Sequence, residues 1–374
     1  MKFIDLNKQY NKIKKQVNQD ILDNLEKGDY ILGENVYKLE RRLSKYVGAK
    51  ECITCASGTD ALLIPLMAYQ IGVGDAVFTT NFSYFATTEV ISLVGATPLF
   101  VDIDNQTFNI DPDLLEQNIL QTLNDGKLIP KAIIAVDLFG QLADYQKIQE
   151  IAKKYNLILI EDAAQSFGAT FKDKKSCSFG DVSATSFFPA KPLGCYGDGG
   201  AIFTNDTKLA DLCRSIRVHG KGEDKYDNIR VGLNSRLDTI QASVLLNKLN
   251  IFDNELIQRN KVANSYNQKL NKHLIVPHIS EGNLSSWAQY SLLAKNSDER
   301  DRLMNYLKDK GIPTAIYYKK LFSDLEIYRD NICSEFPVSS EISDRIFSIP
   351  MHPYLEDDDI HQITNSIIEY FKYE

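Results

Sequence analysis

Between residues 52 and 204, short apolar runs alternate with stretches of helical spacing, and this alternation restricts the fold more than any other feature of the chain. The runs at 76–79, 97–101, 131–136, 157–160, 184–187 and 201–204 read as strands. Runs without a regular polar face belong to strands covered on both sides, so the pattern predicts a largely parallel sheet with helices on both faces, an α/β fold. From 238 to 266 the spacing turns helical and long, and shorter signals follow, including a helix over 297–311. At ~100 to 200 residues per domain, 374 residues leave room for a second unit. The reading is a large domain over 13–250 and a smaller C-terminal α/β domain over 251–374, with the segment 1–12 packing nearby.

Composition narrows the function. Fifty acidic against 42 basic residues give a formal charge of -8, which argues against nucleic acid as a partner. The first residues, MKFIDLNKQYNKIKKQ, contain no apolar core of signal-peptide length, and Pro130, Lys131 and Asp137 interrupt the longest apolar stretch, so a cytoplasmic protein without a membrane partner is expected. Six irregularly spaced cysteines suit small buried residues in a reducing compartment. Cys52 and Cys55 have CxxC spacing, but no second pair or histidine cluster accompanies them, and no metal is expected.

In open α/β sheets ligands collect at the carboxyl ends of strands, which singles out three places. After 157–160 come Glu161 and Asp162, then the small residues Ala163 and Ala164, with Gln165 and Ser166 beyond. Asp162 is the candidate acid, although a helix cap or solvated loop charge fits the same spacing. Ser57-Gly58-Thr59-Asp60 precedes an apolar helix and suits an anion at a helix N-terminus, or an ordinary N-cap. Pro65 inside that helix predicts a kink or a displaced start. The third place, Ser186 to Gly200, encloses Lys191 among aromatic residues, two prolines and four glycines. An apolar pocket there lowers the amine's pKa, as imine chemistry requires; a surface lysine is the alternative.

An imine-forming amine, a carboxylate and a phosphate-receptive helix end together complement pyridoxal phosphate, whose aldehyde, ring nitrogen and phosphate need these three partners. The ordered motifs around them resemble the DegT/DnrJ/EryC1 sugar-nucleotide aminotransferases, within the fold-type I pyridoxal-phosphate enzymes. They are Phe3-Ile-Asp-Leu6, Gly28-Asp-Tyr-Ile-Leu-Gly33, Ala56-Ser-Gly-Thr-Asp60, Glu161-Asp-Ala-Ala-Gln165, Ser186 to Gly200, Gly232-Leu-Asn-Ser-Arg-Leu-Asp238 and Pro350-Met-His-Pro353.

The resemblance implies that Lys191 is the catalytic lysine bonded to the cofactor aldehyde and that Asp162 pairs with the ring nitrogen. It further implies that Gln165 lies near the ring hydroxyl, that Gly58, Thr59 and Ser186 hold the phosphate, and that Tyr84 stacks on the ring. Asn234 would reach the phosphate of the neighbouring subunit, making a homodimer with shared sites, and Arg236 would contact substrate. The string around Lys191 is most similar to the branch that aminates C3 of UDP-linked 3-keto sugars, including 3-oxo-N-acetylglucosaminuronate.

The implied reaction passes an amino group from L-glutamate, released as 2-oxoglutarate, through pyridoxamine phosphate to the keto sugar. Where many relatives read His-Tyr-Pro, this chain has Tyr317, Tyr318 and Lys319, so tyrosine hydroxyls and an added charge become the candidate sugar contacts. An aminotransferase acting on a 4-keto sugar and a cofactor-binding regulator without turnover are the competing readings. A pyridoxamine-dependent dehydratase fits less well, because there histidine replaces the lysine that this chain keeps. His219, His352 and Trp287 read as structural residues.

Overall fold

The computed structural model describes residues 1–224, 226–331 and 335–373. Helices α1 (Leu6–Lys27) and α2 (Glu34–Val47) precede a seven-stranded sheet. Its strands are β1 (Glu51–Cys55), β2 (Asp75–Thr80), β3 (Thr97–Val101), β4 (Ile129–Val136) and β5 (Ile158–Asp162), then, past the short pair β6 (Thr170–Phe171) and β7 (Lys174–Lys175), β8 (Val182–Ser186) and β9 (Gly200–Thr204). The spatial order is β1-β9-β8-β5-β4-β2-β3. All six expected strands are present. The sheet is parallel except at β9, which runs antiparallel to both β8 and β1. The connection over 187–199 contains no crossover helix, so the chain returns beside β8 in the opposite direction.

Period-2 alternation sends neighbouring side chains to opposite faces. Ile134 and Ile160 pack under α3 (Gly58–Ala68), α4 (Ala86–Leu93) and α7 (Thr207–Arg217) with Ile64, Val90 and Leu209. Ile133 and Leu159 pack on the other face against Leu115, Ile119 and Ile148 of α5 (Pro112–Asp125) and α6 (Tyr145–Tyr155). Each such buried side chain stabilises the fold by about 1.5–3 kcal/mol before entropy is counted. The start of α3 is not displaced by Pro65: Ser57 caps it, and the helix continues past Pro65 to Ala68, where the Tyr69 amide closes the last turn on the Pro65 carbonyl.

The helix expected over 238–266 is two helices, α8 (Thr239–Leu249) and α9 (Phe252–Leu270). The amides of Asn250 and Ile251 bond the carbonyls three residues back, tightening and ending α8. Apolar residues continue across the junction because both helices are heavily buried, so periodicity hides the break. Val244 packs on Ile13 and Val17 of α1, and Leu245 and Leu246 pack on Val36, Leu39 and Leu43 of α2. Helix α9 begins in that same cluster with Phe252 and Leu256 and ends in another, where Val262, Tyr266 and Leu270 meet Trp287, Leu303, Phe347 and Ile363.

That second cluster is built from α9, β11 (Tyr290–Leu293), α10 (Ser297–Asp309), β12 (Ile346–Ile349) and α12 (Asp357–Tyr373), with β11 paired to β12; β10 (Asn283–Leu284) pairs instead with β6, and α11 (Pro337–Arg345) packs Ile342 in a separate cluster with Phe82 and Val136. Helix α10 ends two residues before the expected 311, where Lys310 closes it. The N-terminal segment lies against this region. Phe3 O accepts from Met351 N at 3.4 Å, Lys8 Nζ meets Glu356 at 2.7 Å, and Gln9 Nε2 donates to Glu255 at 3.0 Å. No helix among the described residues is long and apolar enough to cross a membrane.

His352 is buried, its Nδ1 accepting from Tyr354 N at 3.3 Å, and burial with nearby Arg259 pushes its pKa down to about 4. The folded imidazole therefore stays neutral while the unfolded one takes up a proton near its ordinary 6.5, so stability is lost as the pH falls from 6.5 towards 4. His352→Gln flattens that part of the melting-temperature profile, measured by thermal denaturation across pH 4 to 7.

Candidate active site

Strand β5 extends two residues beyond the expected 157–160, so Glu161 and Asp162 lie within it and point to opposite faces. Glu161 turns away from the site and is occupied by Cys177 N (2.6 Å), Phe179 N (2.8 Å) and Ser183 Oγ (2.7 Å). Asp162, 4% exposed, accepts from Thr87 Oγ1 at 2.8 Å and Ala164 N at 3.2 Å. Burial raises its pKa, while Thr87, the Ala164 amide and the charge of Lys191 pull it back. A buried acid held by so few donors keeps capacity for one more. Thr87 carries no motif signal; it is 75 positions from its partner and was not predicted.

At the edge of β1, Ser57 caps α3, its Oγ accepting from Asp60 N at 3.0 Å and its carbonyl from Ala61 N at 3.0 Å. The amides of Gly58 and Thr59 lead the helix and have no acceptor among the described residues, which leaves them for an anion. A Cβ on Gly58 would stand 2.6 Å from Ser186 Cβ, and one on Gly200 would stand 2.3 Å from Ser57 O. Ser186, the last residue of β8, thus lies directly against this helix end. Gly58→Ala is expected to weaken cofactor retention by roughly tenfold or more, the ~1.4 kcal/mol scale of one displaced charge-assisted bond; equilibrium dialysis of the cofactor checks it.

Lys191 sits on the strap between β8 and β9. The strap is closed twice, by Phe187 N on Gly199 O and by Cys195 N on Phe187 O, both 2.7 Å, and the Lys191 amide turns back to Phe188 O at 2.9 Å. Gly194 permits the fold-back, since a Cβ there would meet the Phe188 and Pro189 carbonyls at 2.6 Å. Burial lowers the pKa of Lys191, with Asp162 opposing. Lys191 and Asp162 thus lie within electrostatic reach of each other.

Gln165 is buried with its orientation fixed: Phe139 N donates to Oε1 at 2.8 Å, and Nε2 donates to the Tyr318 hydroxyl at 3.1 Å. The Tyr318 proton is left free to point elsewhere, and burial raises the phenol's pKa so that it remains a donor. Tyr84 is 59% exposed with its ring 6.4 Å from Tyr318, while the Tyr317 ring lies tilted against Phe3 at 6.3 Å; Lys319 is exposed.

Asn234 is exposed and Arg236 partly so; their side chains bond each other, and Arg236 Nε is buried without a partner. Ser235 between them points inward, donating to Asp60 Oδ2 at 2.6 Å and accepting from Ala56 N at 3.2 Å. This brace of the helix end sits within the 232–238 motif, and strand-like alternation of Asn-Ser-Arg is the signal that exposes it.

Outside the site, Cys52 and Cys55 are buried core residues, and burial raises both thiols. Cys333 falls outside the described residues. Trp287 is buried in the second core with its Nε1 on Asn260 Oδ1 at 2.9 Å, and His219 is exposed.

A lysine amine of lowered pKa within electrostatic reach of a buried carboxylate, on a strap that starts at Ser186 against a helix end open to an anion, suits an α/β protein to imine chemistry on a phosphate-bearing ligand. Residues 11–368 match the DegT/DnrJ/EryC1/StrS aminotransferase family, and the chain belongs to it. It is 48% identical over 357 residues to the UDP-2-acetamido-2-deoxy-3-oxo-D-glucuronate aminotransferase of Pseudomonas aeruginosa, covering 95% of this chain and 96% of the relative. The crystal structure of a DegT DnrJ EryC1 StrS aminotransferase from Brucella abortus superimposes with a TM-score of 0.97 at 48% identity, covering 99% of each chain. NtdA from Bacillus subtilis, solved with bound cofactor PMP, has a TM-score of 0.89 at 27% identity, covering 99% of this chain and 83% of that one.

Proposed function

We propose that this protein is a pyridoxal-phosphate-dependent aminotransferase that moves the amino group of L-glutamate onto the C3 keto group of a UDP-linked 3-keto sugar, a 3-oxo-N-acetylglucosamine or its uronate. What supports this is that Lys191 and Asp162 lie close enough for each to shift the other's pKa, in a chain of this family. The 48% identity to an enzyme named for such a uronate supports the choice of sugar. The product would be a 3-amino sugar nucleotide of the kind used in surface glycans or lipid A.

Bound, the cofactor supplies an aldehyde for imine exchange and a ring that accepts electrons. Asp162 would favour the protonated form of the ring nitrogen through its free lone pairs. The Gly58 and Thr59 amides, with the Ser186 hydroxyl, would hold the phosphate, Tyr84 would cover the ring, and Gln165 would orient it. Lys191 Nζ would take the proton from Cα of the donor amino acid and hold it for return, and would serve the keto sugar in the same way. Tyr317, Tyr318 and Arg236 meet the sugar nucleotide.

We place the protein in the cytoplasm as a homodimer, with the partner subunit's Asn234 completing the phosphate site. Exposure of Asn234 beside the bare apolar side chains of Ile229 and Val231 supports that arrangement. The division into residues 13–250 and 251–374 belongs to the same reading, with α9 bridging the two cores. Adding L-glutamate to the loaded protein tests turnover: the near-visible cofactor band is expected to convert to the pyridoxamine band, and an unchanged spectrum contradicts it. Mass spectrometry of products from UDP- and dTDP-linked 3-keto and 4-keto sugars then tests the substrate, with a UDP-linked 3-amino sugar expected.

A further inference from the structure

One buried cation takes no part in the site described above. Lys248, near the end of α8, is fully buried, and its Nζ has no hydrogen-bond partner. An ammonium in such a place is costly unless something compensates it. Its ring partner is Tyr196, with Nζ 4.6 Å from the centroid, and the Glu255 carboxylate favours the charge from further off. Tyr196 belongs to the strap that carries Lys191, immediately after the Cys195 amide that closes the strap on Phe187 O. Its own amide donates to Gln241 Oε1, also on α8, at 2.8 Å, and its ring meets Tyr10 of α1 edge-on at 6.2 Å. Helix α8 thus grips the strap at one residue through two side chains one above the other, Gln241 on the backbone and Lys248 on the ring.

We propose that Lys248 is a positioning residue for Lys191: its cation, seated on the Tyr196 ring, pins the returning arm of the strap and so fixes where Nζ of Lys191 stands. The role for Lys191 rests on the function proposed above, whereas the anchoring does not.

Both parts are read separately on the full-length protein. Amide hydrogen exchange of peptides spanning 192–198, with and without cofactor, reads the anchor. Lys248→Met removes an unpaired buried charge while keeping the chain length, so the fold is expected to melt no lower than the wild type. Exchange across the strap is nevertheless expected to rise roughly tenfold, the scale of a desolvated cation–π contact, with β4 and β5 unchanged. Tyr196→Leu should match it, the double variant should add nothing further, and Tyr196→Phe, which keeps the ring face, should retain protection.

On the enzyme, Lys248→Met and Tyr196→Leu are expected to slow the single-turnover glutamate half-reaction about tenfold with the half-saturating glutamate concentration unchanged, and Tyr196→Phe to preserve the rate. Unchanged strap exchange, additive effects in the double variant, or loosening spread evenly over the main sheet overturns the anchor. A loosened strap with an unaltered half-reaction overturns the positioning role. A wild-type protein that shows no half-reaction at all defeats the proposed function and leaves the exchange result standing.

Discussion

Lys191→Ala is expected to lower steady-state transamination by about a thousandfold or more, because it removes the amine proposed to take and return the substrate proton. The size follows from the site. Burial lowers the pKa of Lys191, so a usable fraction of neutral amine is present at lower pH than for a solvated lysine, while Asp162 keeps the shift within bounds. A small external amine has no strap to hold it and is expected to restore only part of the rate. Steady-state kinetics with glutamate and a keto sugar measure the loss, with circular dichroism as the control for folding. A variant that turns over normally contradicts the assignment.

The second large effect is expected at Asp162. Asp162→Asn keeps the size of the side chain and an acceptor for Thr87, but withdraws the negative charge from a site where water cannot replace it. Breaking a buried charge pair costs about 3–5 kcal/mol, so the half-reaction is expected to slow by roughly two to four orders of magnitude.

A pH dependence accompanies this. Burial places the Asp162 pKa above the ordinary carboxylate value, so as the pH falls through that raised pKa the carboxylate gains a proton and loses its hold on a cationic ring. Cofactor dissociation constants are therefore expected to climb on acidification in the wild type and to stay flatter in Asp162→Asn, as equilibrium dialysis at several pH values would show.

The sequence reveals the sheet well because its signal is local. Buried strands such as 131–136 and 157–160 need only apolar density, and the motifs beside them need only the rule that strand ends host ligands. What it hides depends on contacts made far along the chain. The reversal of β9 is decided by the closure of the strap, not by any residue inside the strand. The break between α8 and α9 is invisible because apolar residues on both sides of Asn250 and Ile251 serve the same core, so the pattern runs on through it. Within the site, the lysine, the acid and the helix end stand out by residue type. Thr87 and Ser235 do not, since a hydroxyl becomes informative only once its partner, Asp162 or Asp60, is known to lie beside it. Lys248 is a similar case: in sequence it is one more lysine on a helix, and its burial under Tyr196 is a product of packing.

The point of cofactor attachment is read by borohydride reduction of the cofactor-loaded protein followed by peptide mapping. A pyridoxyl group is expected on Lys191, in the peptide that contains Phe187 to Gly199. A label on any other lysine, Lys248 included, or no label at all, would contradict it.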